Sequence, residues 1–183
     1  PVHRLDRATS GIVLFALDPE SAAAFGALFQ KRQVTKSYHA VVRGWLPETG
    51  VIDHPVRTSQ TAAPQPAVTH FRRLATAELP VAIGPYASAR YSLAELQPLT
   101  GRLHQLRHHC HHLSHPIIGD TAYGDSAHNW FFRERLGCGR LLLHASHLAF
   151  IHPFTGANLV VECPLPADFH YALEQLGLPT PQG

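Results

Sequence analysis

Residues 3–17 read His3-Arg4-Leu5-Asp6-Arg7-Ala8-Thr9-Ser10-Gly11-Ile12-Val13-Leu14-Phe15-Ala16-Leu17, a charged polar turn running straight into an apolar segment. The apolar half, residues 11–17, carries β-branched members between Ser10-Gly11 and Asp18-Pro19, which predicts a buried strand. The polar half sets one carboxylate, Asp6, between Arg4 and Arg7 and beside the small hydroxyl residues Thr9 and Ser10. Flanking guanidinium groups favour the charged form of a carboxyl and orient it, which suits a nucleophile or base better than an acid. The same residues also read as a surface salt bridge in a loop.

Downstream, Ser21 is the expected N-cap of an alanine-rich helix over 22–33, with Phe25, Leu28 and Phe29 at helical spacing. Alternating residues predict antiparallel neighbouring strands at 36–44, 67–78 and 90–97. Between the first two, Pro47, Gly50, Pro55, Pro64 and Pro66 predict a long irregular, partly mobile excursion over 46–66. Gly101 leads into a helix at 103–113 that stops before His115-Pro116, because a residue preceding proline avoids the helical region. A shorter helix at 126–136, a hairpin from 141–151 and 158–163, and a closing helix at 168–176 complete an α+β pattern with a mainly antiparallel sheet.

The 183 residues, 45% of them hydrophobic, suffice for one domain with a substantial core spanning residues 1–183. No run approaches the ~18 consecutive apolar residues of a membrane helix, and the opening residues lack the plan of a signal peptide. A cytoplasmic, soluble protein is expected. Cys110, Cys138 and Cys163 are too scattered for a disulfide framework or a zinc knuckle, so reduced thiols are expected. Net charge is only +2, but 15 histidines and clusters at Arg4/Arg7, 31–36, Arg72/Arg73 and 102–112 offer several small patches to phosphates. The chain holds no methionine and opens at Pro1 directly before its richest motif, so it reads as a piece of a longer protein.

Thr100-Gly101-Arg102-Leu103-His104-Gln105-Leu106-Arg107 is the second polar cluster. Helix N-terminal amides and guanidinium groups both favour anions. Leu103, Leu106 and Cys110 are expected to face the core and leave Arg107 free to reach a neighbouring loop, although an exposed basic helix has the same pattern. His104, His108 and His112 recur at the i, i+4 spacing of zinc ligands, but no acidic residue lies between Glu95 and Asp120, so no metal is expected. Tyr38 is either a phenol that stacks on a base or a half-buried strand residue, and Tyr123 carries the same ambiguity. Trp45 and Trp130 are expected in the packing.

Taken in order, the His3–Gly11 motif, the Lys36/Tyr38/Ala40/Val41/Gly44 strand, Gly101-Arg102-x-His104-Gln105-Leu106-Arg107 and His115-Pro116-Ile117-Ile118-Gly119-Asp120 resemble the RluA-type pseudouridine synthases. The resemblance implies that family's α+β fold, a mixed, mainly antiparallel central sheet flanked by helices and loops. It implies that Asp6 attacks a uridine, that Tyr38 stacks near the base and serves as general base, and that Arg107 pairs with Asp6. Arg4 would keep the target nucleotide flipped out, and Arg7, Thr9, Arg102, His104 and Gln105 would join it in binding substrate. No cofactor or metal is implied, and the partner is structured RNA bound by a monomer. Pro64-Gln65-Pro66-Ala67-Val68-Thr69-His70, Arg90-Tyr91, Leu141 to Ser146 and His152-Pro153-Phe154-Thr155-Gly156 resemble the branch that modifies a T-stem uridine, position 65 of tRNA. Ribosomal-RNA enzymes share the main signature. Members of the family also carry, ahead of the Asp6 motif, a segment with a strand of the central sheet that has no counterpart here. Two other classes fit the same residues: a module that binds RNA without turning it over, and a histidine-dependent metallohydrolase.

Overall fold

The computed structural model describes residues 1–57, 61 and 63–181. Its strands are β1 (Ser10–Gly11), β2 (Thr35–Arg43), β3 (Thr49–Asp53), β4 (Val68–Leu79), β5 (Ala89–Pro98), β6 (Leu143–Ile151) and β7 (Asn158–Glu162). Its helices are α1 (Pro19–Gln30), α2 (Gln105–His112), α3 (Ser126–Arg135) and α4 (Ala167–Leu176). The strands form one sheet in the order β1-β6-β2-β5-β4-β3, with β7 also on β6. Every pairing is antiparallel except β1 with β6, so the α+β fold with a mixed, mainly antiparallel sheet stands as expected.

Alternation along β2 divides the core. Val41 points to one face, where Phe131 and Phe132 of α3 and Phe169, Leu173 and Leu176 of α4 cover the sheet. Ala40 and Val42 point to the other, where Leu106 and Cys110 of α2 pack with Phe71, Leu96, Ile117 and Leu143. A smaller cluster under α1 joins Phe25, Leu28 and Phe29 to Leu148 and Phe150 of β6 and to Ile12 and Leu14. Burying a large apolar side chain contributes about 1.5–3 kcal/mol, so these three clusters fix the sheet between its helices. The face carrying α2 is the one on which Tyr38 lies.

The apolar run 11–17 is not a buried strand. Ladder pairing ends at Gly11 opposite Ala145, because β7 occupies the same edge of β6 from His147 onward. The chain then continues without ladder partners: Ile12 and Leu14 turn inward, while Phe15 is 64% and Leu17 99% exposed. The helix that follows is capped not by Ser21 but by Asp18, whose carboxylate accepts from the Ser21 backbone N–H and hydroxyl, with Pro19 opening the first turn.

Within 46–66 a strand forms that the prolines obscured. β3 pairs with β4 between Pro47 and Pro55, and Gly50 sits opposite Phe71, where a Cβ would collide with the phenyl ring. Thr58, Ser59, Gln60 and Ala62 of that stretch lie outside the described residues. Neither tryptophan is core: Trp45 is 44% exposed beneath the Arg90 guanidinium, and Trp130 lies on the outer side of α3. Leu103 precedes α2 in a turn and is half-exposed, so Leu106 and Cys110 alone carry that helix's apolar face.

Candidate active site

The Asp6 loop is pinned at both ends. Gly11 has φ +116°, and a Cβ there would overlap the carbonyl of Ala145, so only glycine lets β1 lie this close to β6. Beside it the Ser10 hydroxyl bonds to His144 Nδ1 at 2.8 Å and accepts from the Arg140 guanidinium. At the other end His3 stacks on Phe29 at 4.6 Å and its Nε2 accepts the Leu14 N–H at 3.0 Å. Burial and then the charge of Lys36 hold the His3 imidazole below its ordinary pKa, which keeps that nitrogen an acceptor. A Thr9 N–H to Asp6 carbonyl bond of 2.9 Å closes the turn between them.

Two other elements meet this loop. On β2, Tyr38 lies next to a bulge in which Ser146 of β6 is the extra residue, a device that re-aims neighbouring side chains. Burial, and secondarily the charge of Asp6, push the Tyr38 phenol up to about 12, so it is protonated through the physiological range. From α2, the buried Arg107 brings Nη1 to 3.7 Å from Asp6 Oδ2. Its tighter partner is Asp120, to which Nε and Nη2 donate at 2.8 and 2.7 Å. His104 stands at the N-terminus of α2 in a left-handed conformation, φ 54°, with Nε2 3.9 Å from Asp6 Oδ1 and Nδ1 3.0 Å from the Tyr123 hydroxyl.

Asp6, Tyr38 and His104 line an open cleft of about 870 Å³, whose walls include Arg4, Thr9, Lys36 and Arg102, while Arg107 meets it through Asp6. That volume falls in the range of sites that enclose small molecules or single nucleotide units. A carboxylate, an imidazole and a phenol therefore converge on one recess, with the Arg107 guanidinium set against the carboxylate. Such a set can place a nucleophile, stabilise charge and hold an aromatic base.

Asp6, Tyr38, Arg107 and His104 are brought together; Arg4, Thr9, Arg102 and Gln105 line the same cleft. The guanidinium facing Asp6 is Arg107 and not its sequence neighbours: among the described residues Arg4 and Arg7 form no ion pair, and Arg7 is exposed away from the cleft. Gln105 is buried, with Oε1 accepting from Thr100 and the Arg102 amide and Nε2 donating to Val68 and Thr69, so its amide is engaged within the protein. Arg102 Nε donates to the Pro66 carbonyl. Thr9 Oγ1 is buried without a hydrogen-bond partner among the described residues.

The histidine run scatters. His109 is fully buried, bonded to Thr69 and the His54 carbonyl; His112 stacks on His54 at 3.7 Å; His108 packs on Tyr123. Among the described residues no three His, Cys, Asp or Glu side chains are placed to hold a metal ion. Nor is any described helix long and apolar enough to cross a membrane. Asp120, which entered the sequence reading only as the end of a family motif, and Tyr123, read there as an ambiguous phenol, belong to the site's support; the turn signal Gly119-Asp120-x-x-Tyr123-Gly124 was the clue that joins them.

The chain belongs to the RNA pseudouridylate synthase family, whose model matches residues 1–112. Two relatives named tRNA pseudouridine synthase C narrow the likeness. That of Pectobacterium carotovorum subsp. carotovorum is 50% identical over 96% of this chain, which spans 50% of the relative's length. That of Vibrio cholerae is 46% identical over 97% of this chain and 77% of its own. Among solved structures, human RNA pseudouridylate synthase domain containing 4 superposes with a TM-score of 0.76 at 29% identity, covering 99% of this chain and 77% of that one.

Proposed function

We propose that this chain isomerises uridine to pseudouridine in tRNA, with Asp6 as the nucleophile and the T-stem uridine at position 65 as target. The observation that carries the reading is the Asp6 carboxylate held in a cleft against Arg107 with the Tyr38 ring beside it. A base in a stem must leave the helix before its glycosidic bond can be cut, at a cost of a few kcal/mol. The exposed Arg4 stands at the cleft wall, where a guanidinium can stack into the vacated position. Arg102 and Lys36 supply positive charge to the flanking phosphates.

In the cleft Asp6 attacks the target nucleoside, the bond from N1 to the sugar breaks, and the uracil turns over. A bond then forms from C5 to the sugar as the bond to Asp6 breaks and its carboxylate is released, the C5 proton leaves and N1 takes one up. Atoms balance without an oxidant, reductant or metal. Tyr38 supplies a stacking face. Because its phenol begins protonated, it can accept the C5 proton only while passing its own on. Every group named comes from one chain, which fits a monomer, and a tRNA substrate fits action in the cytoplasm.

The test is to incubate the protein with unmodified tRNA and map pseudouridine by a chemical adduct that stops primer extension. A stop at position 65 is expected. A stop elsewhere in tRNA, or only in ribosomal RNA, replaces the substrate; binding with no stop on either reduces the chain to an RNA-binding module.

A further inference from the structure

Both groups that face Asp6 from α2 are held by a single turn, residues 120–123. Asp120 fixes the Arg107 guanidinium through two parallel bonds and anchors its own turn by accepting the Ala122 and Tyr123 amides at 2.9 and 3.0 Å. Tyr123 in turn bonds the other group, His104, through its hydroxyl. The Tyr123 ring also lies 5.1 Å beneath the Arg107 guanidinium and 4.2 Å from the His108 ring, and its carbonyl pairs with His111 Nδ1 at 2.8 Å. The phenol is thus fixed at several points before substrate arrives.

We propose that Tyr123 is a positioning residue for the reaction, setting the ring orientation and tautomer of His104 so that an N–H points at the Asp6 carboxylate. This inference rests on the pseudouridine synthase reading above. The tautomer follows from the partners. A carboxylate only accepts, so the neutral imidazole that suits Asp6 carries its hydrogen on Nε2, which leaves Nδ1 to accept from the Tyr123 hydroxyl. His104 is the left-handed N-cap residue of α2, and its ring makes no capping bond to the helix amides that would hold it. Without the phenol the imidazole is free to rotate or change tautomer, and Asp6 loses one of its two facing groups.

The experiment uses tRNA carrying tritium at uridine C5, which is released as the new bond forms. Rates are measured in single turnover for wild type, Tyr123→Phe, His104→Asn and the double variant, with tRNA affinity and melting temperature for each. Asparagine is chosen because it tolerates the left-handed conformation. Tyr123→Phe is expected to lower the rate about five- to tenfold, the worth of one hydrogen bond, with tRNA affinity unchanged and melting lowered only by what one part-buried hydrogen bond contributes. The double variant is expected to be no slower than His104→Asn alone, since the phenol acts through the imidazole. Losses that multiply, or a Tyr123→Phe rate equal to wild type, overturn the inference and leave the functional reading standing. A wild-type protein that releases no tritium overturns that reading and the inference with it.

Discussion

Replacing Asp120 by asparagine keeps the volume of a buried side chain and removes its charge, and the structure sets the size of the loss. Oδ1 accepts three bonds, from Arg107 Nη2 and from the Ala122 and Tyr123 amides, while Oδ2 accepts only from Arg107 Nε. The carbonyl of the introduced asparagine can keep the first three. Its amide nitrogen then faces the Arg107 Nε–H, donor against donor, and a guanidinium that is 9% exposed loses its tight counter-charge. Breaking a buried pair by removing one partner costs about 3–5 kcal/mol, against 0–1 for an exposed pair. Burial pushes the Asp120 carboxyl up, but the Arg107 bonds and the two amides outweigh this and leave it below its ordinary value. A carboxyl lowered in the folded state stabilises above its unfolded pKa of about 3.9 and loses that contribution as pH falls through the folded one. Urea unfolding of wild type and Asp120→Asn is therefore expected to differ by about 3–5 kcal/mol at pH 7 and to converge below about pH 4. A difference under about 1 kcal/mol at pH 7, or one that does not narrow in acid, refutes the claim that Asp120 and Arg107 are a desolvated pair.

Gly11→Ala is expected to cost about 3 kcal/mol or more in urea unfolding, since it combines a positive φ with overlap on the Ala145 carbonyl. Asp18→Ala is expected to cost about 1 kcal/mol by loss of the α1 cap, while Ser21→Ala, which removes only one of the two bonds to Asp18, costs less in the same measurement. Ultraviolet difference titration of wild type against Tyr38→Phe is expected to show no Tyr38 ionisation until pH approaches about 12; a tyrosinate near its ordinary value contradicts the burial of that phenol.

Elements whose apolar positions repeat regularly were legible in the sequence. The strand expected at 36–44 is Thr35–Arg43, the helix expected at 126–136 is Ser126–Arg135, and the hairpin ending near Glu162 is β6 with β7. What sequence reasoning missed depended on competition in space. Residues 11–17 carry a strand's composition, but a rival strand from the far end of the chain takes the edge they would use. β3 was hidden because proline marks where a strand stops, not that none lies between. In the site, Asp6, Tyr38 and Arg107 stood out by residue type and by family resemblance. The Arg107–Asp120 and His104–Tyr123 partnerships, which span 13 and 19 residues, are set by how the 120–123 turn folds against α2 and leave no periodic trace.

The claim on which the rest depends is that the Asp6 carboxylate performs the chemistry and does not serve binding. Asp6→Asn, measured by tritium release from uridine C5 in single turnover and by tRNA affinity, tests it directly. The rate is expected to fall by about a thousandfold or more, on the order of 4 kcal/mol of transition-state stabilisation, with affinity within about twofold because phosphate contacts are untouched. An Asp6→Asn protein that turns over within about tenfold of wild type, or that loses its affinity for tRNA along with its rate, contradicts it.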